Sequence, residues 1–308
     1  MKEIELRPKS LEDFIGKDRI KKALRTYILS SIKQNKQLDH ILIFGQAGVG
    51  KTTLATIIAN ELKTKIHYIQ GPGIQMVSDV LDVISMITEG DVIFIDEVHK
   101  VNIKIIELFY SLMEDFVIDI KLGKELNTQY SRLNVPKFTL ICSTTDIGRL
   151  PQPFLDRFGI HLYLDPYDKD EIVKIITAIA IKVMPNITYD ELNLIADYSK
   201  GIPRIAINIL NRYYDHKLIN ESACEKDIFD SIGVYSKGLN QIDIMYLNAL
   251  KKYKNRAIGI KSLSQQLGID EKTIVNTIEP YLLRIGFINK RPNGRVITID
   301  GELYLKSL

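Results

Sequence analysis

The sequence predicts an α/β protein in three parts: a parallel-sheet core, a small all-helical domain, and a C-terminal domain of helices followed by a hairpin. From about residue 40 to 165, short apolar runs alternate with amphipathic segments. This alternation is typical of a parallel sheet covered by helices on both faces. The region that follows has only helical spacing of apolar residues. Near the C-terminus, an Asn-Gly pair between two short β-branched runs is a strong hairpin signal.

The first part, predicted to span residues 1–165, contains the candidate strands. Each candidate is short, rich in β-branched and aromatic residues, and bounded by polar residues. A change of class near Pro166 sets the predicted boundary, because no strand signal follows it until the C-terminal hairpin. The candidate strands are HILIF (40–44), KIHYI (65–69), DVIFID (91–96), KFTLICST (137–144) and IHLYL (160–164).

The second and third parts are predicted to span residues 166–233 and 234–308. The second has helical spacing in KDEIVKIITAIAIKV, TYDELNLIADYSKG and PRIAINILNRYYDH. The third has three helical segments and then two strands around the Asn-Gly turn, which is the order of a winged helix. Its second helix is expected to end at Gly268 and its third to begin after the N-cap Asp270. Pro280 should kink or shorten that third helix near Glu279.

The composition is that of an ordinary globular protein, with 45% hydrophobic and 26% charged residues among 308. Two distant cysteines, Cys142 and Cys224, exclude a disulfide framework and a zinc ribbon. The N-terminus has no apolar leader-like run, and the longest apolar runs are too short to cross a bilayer. We therefore expect a cytoplasmic protein with no membrane contact. The net charge of +3 is too small to indicate a polyanionic partner by itself.

A nucleotide site is predicted by GQAGVGKTT, which matches the pattern G-x-x-x-x-G-K-[ST] between a strand and a helix. Glycines let backbone N–H groups surround phosphates at a helix N-terminus. Lys51 is expected to reach the β- and γ-phosphates, and the Thr52 hydroxyl to hold Mg²⁺. The predicted ligands are therefore ATP and Mg²⁺, bound by Gly45, Gly48, Gly50, Lys51, Thr52 and Thr53.

Two acids follow the buried strand in VIFIDEVH, residues 92–99. Asp96 is expected to bind Mg²⁺ directly or through water, and Glu97 to polarise the attacking water. Two acids after a strand could also merely cap a helix, but the upstream phosphate loop favours catalysis. His99 is expected to pack or hydrogen-bond beside the site, because no second histidine lies suitably near to share a metal.

Basic residues farther along the chain are candidates for binding phosphates. The guanidinium groups of Arg157 and Arg204 could each hold γ-phosphate oxygens, although by position alone both could be surface ion-pair residues. The hairpin INKRPNGRVI carries Lys290, Arg291 and Arg295 with no acid among them. These three side chains are predicted to contact DNA phosphates, the alternative being an ordinary solvated turn.

Several of these segments together resemble the RuvB family, the bacterial Holliday junction branch migration ATPases of the AAA+ class. The likeness covers nearly the whole chain, and its narrowest signals are LRPKSLEDFIG, MEDFVIDI and EPYLLRIGFINKRPNGRVIT. It implies an AAA+ core, a helical lid and a winged helix. It also implies an ATP-driven motor that moves duplex DNA in recombination and repair. Such a motor would form a homo-hexameric ring and act with RuvA and, through it, with the RuvC resolvase complex.

The resemblance also implies roles for individual residues. The stretch 117–138 would form a hairpin that docks on RuvA. Arg157 would act as an arginine finger on the neighbouring subunit's ATP, and Arg204 as the lid's sensor arginine. Thr145, or its neighbour Thr144, would sense the γ-phosphate. Further contacts near the nucleotide are implied for Leu6, Arg7, Glu114, Asp115, Phe116 and Tyr167.

Some positions depart from the family pattern. Leu155 and Asp146 stand where the family commonly has arginines, and Asn293 replaces an arginine of the wing. None of them is a predicted phosphate or Mg²⁺ ligand. Two other classes share the predicted architecture: a loader-type ATP switch of the replication-initiator kind, and a winged-helix transcription regulator with a nucleotide-sensing core.

Overall fold

The computed structural model describes residues 7–122, 129–253 and 256–308. Leu6, a predicted nucleotide contact, therefore lies outside the described residues. The chain divides into two compact units, Met1–Ile175 and Ile176–Leu308. The predicted domain boundaries after residues 165 and 233 remain predictions.

The first unit is built on a parallel sheet. Its strands are β1 (Ile41–Gly45), β2 (Ile66–Gln70), β3 (Val92–Asp96), β4 (Val117–Leu122), β5 (Gln129–Asn134), β6 (Thr139–Thr144) and β7 (Ile160–Leu164). Five of them pair in the order β2-β3-β6-β1-β7, with every pairing parallel. The predicted strands and the predicted parallel sheet are confirmed. Because all five strands run the same way, the loops after β1, β3 and β6 leave the sheet at one edge.

The sheet is buried because helices cover it, as the apolar strands predict. Ile41, Leu42 and Ile43 of β1 are completely buried, and β6 is buried along its whole length. The strands β4 and β5 form a separate antiparallel hairpin, where the resemblance implied one. The helices of this unit are α1 (Asp18–Gln34), α2 (Lys51–Leu62), α3 (Val77–Met86), α4 (Ile103–Ile106), α5 (Leu108–Glu114) and α6 (Gln152–Leu155), and α7 (Lys169–Val183) crosses into the second unit.

The second unit begins with helices and ends with a winged helix, as predicted. The wing is an antiparallel pair in which Lys290 lies opposite Arg295. Ile258 adds a bridge to Arg295 on the other side. The elements after α7 are α8 (Tyr189–Asp197), α9 (Pro203–Ile219), α10 (Glu225–Ile232), α11 (Gln241–Lys251), α12 (Ile260–Leu267), α13 (Glu271–Thr273), α14 (Glu279–Arg284), β8 (Ile288–Arg291), β9 (Gly294–Ile297) and α15 (Ile299–Ser307).

The kink expected at Pro280 is present and has an identifiable form. A π-helical turn, Ile274–Ile278, immediately precedes α14. Proline cannot donate a backbone hydrogen bond, so the helix loses its regular ladder at this point. The predicted cap is also present, because Asp270 accepts a hydrogen bond of 2.9 Å from the Thr273 N–H. The sequence did not predict α15, whose apolar residues lack a clear helical stripe.

Among the described residues, none of the helices has both the length and the apolar character needed to cross a membrane.

Candidate nucleotide site and wing

The phosphate loop joins the end of β1 to the start of α2. Gly45 passes so close to Leu164 of β7 that a Cβ at this position would collide with the Leu164 carbonyl oxygen. Gly50, with φ of 105°, directly precedes α2, which has no side-chain cap at its N-terminus. Lys51 is 6% exposed, and its Nζ donates hydrogen bonds to Gly45 O at 2.9 Å and Gln46 O at 3.0 Å. The loop is therefore wrapped around a buried ammonium group, next to a helix N-terminus suited to phosphate.

The predicted Mg²⁺ ligand Asp96 ends β3 and is held by a residue of the neighbouring strand. Ser143 of β6 is fully buried, and its hydroxyl donates a very short hydrogen bond to Asp96 Oδ1. The same Ser143 Oγ accepts from the Glu97 N–H at 3.4 Å. One hydroxyl thus fixes both the side chain of the first acid and the backbone of the second. Carboxylate oxygens such as those of Asp96, and hydroxyl oxygens such as that of Thr52, suit Mg²⁺.

The carboxylate of Glu97 is oriented by two further side chains. Thr145 Oγ1 donates to Glu97 Oε2 at 2.9 Å, and His99 Nδ1 lies 3.2 Å from the same oxygen. The backbone of Glu97 has φ of 54°, in the left-handed region. This uncommon conformation for a non-glycine residue is typical of functional sites. The second acid is therefore held in one orientation at the edge of the sheet.

Thr144 and Thr145, the two candidates for the γ-phosphate sensor, have different surroundings. Thr144 is completely buried, and its Oγ1 lies 2.9 Å from His99 Nδ1. Thr145 is exposed and bonds to the carboxylate of Glu97. This difference favours Thr145 as the residue that can reach a nucleotide. Burial lowers the pKa of His99, and the charge of Glu97 only partly opposes that shift.

Tyr167, a predicted contact of the nucleotide, lies beside the phosphate loop, and its nucleotide contact remains a prediction. Tyr167 is 6% exposed, and its hydroxyl lies 3.8 Å from the point that a Cβ on Gly50 would occupy. Lys17 Nζ stacks 4.4 Å from the centroid of the Tyr167 ring and donates to Asp165 at 2.8 Å. Burial raises the pKa of Tyr167, so its hydroxyl stays neutral. Tyr167 is thus placed beside the phosphate loop, while Arg7 is exposed.

Arg157 follows α6 and lies against acidic and aromatic neighbours. Its Nη2 is 3.2 Å from Glu114 Oε2, and its guanidinium carbon lies 4.4 Å from the centroid of the Tyr110 ring. The Arg157 Nε is a buried polar atom without a hydrogen-bond partner among the described residues. The two Nη atoms and the Tyr110 ring thus orient the guanidinium, while its Nε is shielded and unpaired within the described part of the chain.

The acidic segment after α5 lies beside Arg157. Glu114, which the resemblance put near the nucleotide, pairs with Arg157. Phe116 packs on the rings of His40 and Phe138, with centroid separations of 6.2 and 5.8 Å. The nucleotide contacts predicted for Glu114, Asp115 and Phe116 therefore remain predictions. Arg204, exposed at the second residue of α9, belongs to the second unit, so its contact with the γ-phosphate also remains a prediction.

The wing differs from the expectation that all three basic side chains face DNA. Arg295 forms a bidentate pair with Glu279: its Nε donates to Oε1 at 2.7 Å, and its Nη2 donates to Oε2 at 3.3 Å. Lys290 Nζ lies 2.8 Å from Glu279 Oε2. The Glu279 side chain is completely buried, and that of Arg295 is 17% exposed, so Arg295 is an internal ion-pair residue. Arg291 is exposed, and Lys290 is 44% exposed, so these two remain candidate DNA contacts.

Glu279, the first residue of α14, stays ionised beneath the wing despite its burial. Burial alone would raise its pKa, but hydrogen bonds from Arg295, Lys290 and Tyr246 outweigh that effect and lower it. The Tyr246 hydroxyl donates to Glu279 Oε1 at 2.9 Å. The carboxylate of α14 therefore neutralises part of the positive charge of the wing.

Comparison with known families identifies the two domains in which these residues lie. The family model described as the Holliday junction DNA helicase RuvB P-loop domain matches residues 6–164. The model described as the RuvB C-terminal winged helix domain matches residues 236–306. The chain belongs to the RuvB family. Its fold is accordingly a RuvB P-loop domain with a parallel sheet, followed by helices and a RuvB winged helix.

Individual RuvB proteins are similar over nearly the full length. The Holliday junction branch migration complex subunit RuvB of Ureaplasma urealyticum is 45% identical, covering 98% of this chain and 97% of the relative. Its counterpart in Mycoplasma genitalium is 42% identical and covers 97% of each. A solved structure of RuvB from Thermotoga maritima, described as a Holliday junction branch migration motor, superposes with a TM-score of 0.83 at 35% identity and covers 98% of both chains.

Two residues with a clear structural role in this RuvB-family chain were not among the sequence-predicted site residues. Ser143 could have been found from strand register, because Ile95 lies opposite Cys142 and the next positions are Asp96 and Ser143. Glu279 had no such signal. Its position before a proline suggested only a kink, and its pairing with Arg295 depends on how the hairpin folds back on the helix.

Proposed function

We propose that this chain is an ATP hydrolase that moves duplex DNA through Holliday junctions and so drives branch migration in recombination and repair. The observation that carries the proposal is the Glu97 carboxylate, which Thr145 and His99 hold at the sheet edge where the loop of Lys51 also lies. An oriented carboxylate beside a phosphate loop can position a water for attack on a γ-phosphate. The relatives' name, branch migration complex subunit, supports the DNA substrate.

Lys51 supplies the positive charge for ATP binding. Phosphate oxygens would replace the carbonyls of Gly45 and Gln46 as its hydrogen-bond acceptors. Thr52 and Asp96 would hold Mg²⁺, which supplies neutralising charge to the β- and γ-phosphates. Glu97 would orient the attacking water. Thr145, which donates to the Glu97 carboxylate, would also contact the γ-phosphate, so that the carboxylate would respond when this phosphate is present.

The remaining predicted residues complete the site in this proposal. Leu6, Arg7 and Tyr167 would contact the base and sugar. Arg204 would contact the γ-phosphate from the helical lid, and Arg157 would reach the ATP of the neighbouring subunit in a homo-hexameric ring. Loss of the γ-phosphate would release both arginines together. Hydrolysis would then change the position of the helical lid and of the neighbouring subunit.

The wing would contact duplex DNA through Lys290 and Arg291. Contacts to phosphates carry little sequence information, which suits a motor because a domain that read bases would pause at preferred sequences.

The hairpin of β4 and β5 would dock on RuvA, and the RuvC resolvase would join through that complex. We place the protein in the cytoplasm, where chromosomal junctions form in bacteria.

The decisive experiment measures ATP hydrolysis and dissociation of a synthetic four-way junction, with and without RuvA, at two salt concentrations. We expect sustained turnover that duplex DNA and RuvA stimulate. About one ATP hydrolysed per binding event would instead indicate a loader-type switch. Strong preference for one duplex sequence at matched salt would indicate a transcription regulator.

Lys51→Ala is expected to abolish ATP turnover, because it removes the buried ammonium group around which the phosphate loop is wrapped. The measurement is phosphate release at saturating ATP together with binding of a fluorescent ATP analogue. Lys22→Ala, at an exposed position of α1, is the matched control and should hydrolyse ATP normally. Unchanged hydrolysis by Lys51→Ala would refute the assignment of this site.

The wing residues are expected to differ in their effect on the salt dependence of duplex binding. Lys290→Ala and Arg291→Ala should each reduce the slope of log affinity against log salt by about 0.9, the value for one phosphate contact. Lys290→Ala should also lower the stability of the domain, because Lys290 pairs with the buried Glu279. Arg295→Ala should instead destabilise the domain by about 3 kcal/mol, because it removes one partner of a buried pair. Fluorescence anisotropy and thermal unfolding separate the two effects. Lys306→Ala on α15, an exposed position, is the control, and an equal slope for all four proteins would mean that the wing does not bind DNA.

A further inference from the structure

Lys200 lies in the loop that leads into α9, the helix that begins with Pro203 and Arg204, and connects this loop to the winged helix. Its Nζ donates to Asp243 Oδ2 at 2.7 Å and lies 4.7 Å from the centroid of the Tyr281 ring. The Lys200 side chain is 15% exposed and that of Asp243 is 3% exposed, so the pair is largely shielded from water. Shielding strengthens the attraction and makes a change of geometry costly.

The backbone of the same loop is held by α14. The guanidinium of Arg284 donates a short hydrogen bond to the Lys200 carbonyl oxygen. Tyr281, one turn earlier on α14, donates to Lys237 O at 2.5 Å. Gly238, in the segment between α10 and α11, passes so close to Tyr198 O that a Cβ there would collide with it. Lys200 is therefore bound through both its side chain and its main chain.

A second set of polar contacts continues from Asp243 to the wing. Asp243 is the third residue of α11, and its carboxylate also accepts from the Asn240 N–H at 3.0 Å. Tyr246, one turn along the same helix, donates to the buried carboxylate of Glu279 at 2.9 Å. Glu279 in turn binds Arg295 and Lys290. Hydrogen bonds and one helical turn thus join Lys200 to the basic side chains of the wing.

A connection of this kind differs physically from an apolar contact. Apolar surfaces can slide past one another with little change in free energy, because burial depends on area and not on direction. An ion pair with hydrogen bonds depends on distance and angle, and a buried carboxylate that loses its partner is strongly destabilised. A displacement of the loop at Lys200 would therefore move α11 as well, because the Lys200–Asp243 ion pair would have to break for the loop to move alone.

We propose that Lys200 is a positioning residue that couples the start of α9, where Arg204 lies, to the wing, through Asp243 and the Tyr246–Glu279 contact, so that ATP turnover displaces Lys290 and Arg291. This inference rests on the proposed function, because it requires Arg204 to respond to the γ-phosphate. It predicts that hydrolysis and DNA binding can each persist while the link between them is lost.

The test compares Lys200→Met, which keeps an unbranched apolar stem, with Lys217→Met. Lys217 is a matched control because it pairs with Glu191 at 3.5 Å at a similar exposure of 16%, within the helices before the winged helix. We expect Lys200→Met to retain DNA-free ATP turnover and duplex affinity within about twofold. We expect its rate of junction dissociation to fall about 5- to 150-fold, the usual range of a coupling between sites. Lys217→Met should dissociate junctions at the unmodified protein's rate.

Further variants distinguish coupling from a general loss of stability. Asp243→Asn should reproduce the defect, and the double variant should be no worse than either single variant, because both remove the same contact. Lys200→Arg should restore much of the rate. Normal junction dissociation by Lys200→Met, or a parallel loss of its DNA-free ATP turnover, would overturn the inference. If the unmodified protein neither hydrolyses ATP nor dissociates junctions, the proposed function itself fails.

Discussion

Arg157→Ala is expected to lower ATP turnover about 10³- to 10⁵-fold while leaving ATP affinity nearly unchanged. The physical reason is that a finger arginine offsets charge that develops only in the transition state. In the structure, Glu114 and the ring of Tyr110 orient the guanidinium, while its Nε has no hydrogen-bond partner among the described residues. Steady-state phosphate release and equilibrium binding of a fluorescent ATP analogue measure the two quantities separately.

Arg149→Ala is a suitable control for Arg157→Ala. Arg149 pairs with Asp146 at 2.8 Å, but the two side chains are 62% and 47% exposed, and such surface pairs contribute little. We expect normal turnover from this variant. A loss of turnover equal to that of Arg157→Ala would mean that the effect comes from the local surface charge and not from a finger.

Mixing subunits tests whether Arg157 acts on a neighbour. A ring that combines Arg157→Ala subunits with Glu97→Gln subunits contains some interfaces with an intact Glu97 on one side and an intact Arg157 on the other. Those interfaces should hydrolyse ATP, so the mixture should be more active than either variant alone. Equal inactivity of the mixture and the separate variants would contradict a site shared between subunits.

The parts of the fold that the sequence predicted correctly depend on local patterns. The central strands β1, β3 and β6 are mostly apolar runs because both of their faces are buried, and such runs are visible without knowledge of the neighbours. The loop from Gly45 to Lys51 is equally local, since consecutive residues close around one ammonium group. The Asp270 cap and the kink before Pro280 follow from the chemistry of single residues.

The parts that the sequence did not predict depend on pairs that are distant along the chain. The bond from Ser143 to Asp96 joins residues 47 apart, and the pair of Arg295 with Glu279 joins residues 16 apart. A basic residue in a hairpin has the same appearance in the sequence whether it faces phosphate or an internal carboxylate. Only the folded chain shows that Arg295 pairs with Glu279, and its contact with DNA stays a prediction.

Glu97→Gln is expected to lower ATP turnover about 10²- to 10⁴-fold, the usual contribution of a positioned acid or base. Glutamine fills the same volume and can still accept a hydrogen bond from Thr145, which lies 2.9 Å from the carboxylate. It lacks the negative charge that attracts the proton of the attacking water. Single-turnover hydrolysis is the appropriate measurement, because it separates the chemical step from product release.

The same variant should bind ATP at least as tightly as the unmodified protein, since a negative charge is removed near the phosphates.

Thr145→Val offers a comparison within the site: it keeps the carboxylate but removes the hydroxyl that orients it. We expect its rate of ATP hydrolysis to fall less than that of Glu97→Gln. The Glu97 carboxylate can still polarise the water, although it is less firmly oriented, and His99 remains 3.2 Å from it. Glu107→Gln, at an exposed position ten residues along the chain, should hydrolyse ATP normally. Single-turnover rates for Glu97→Gln within twofold of this control would show that another group activates the water, and Asp96 would then be the residue to test.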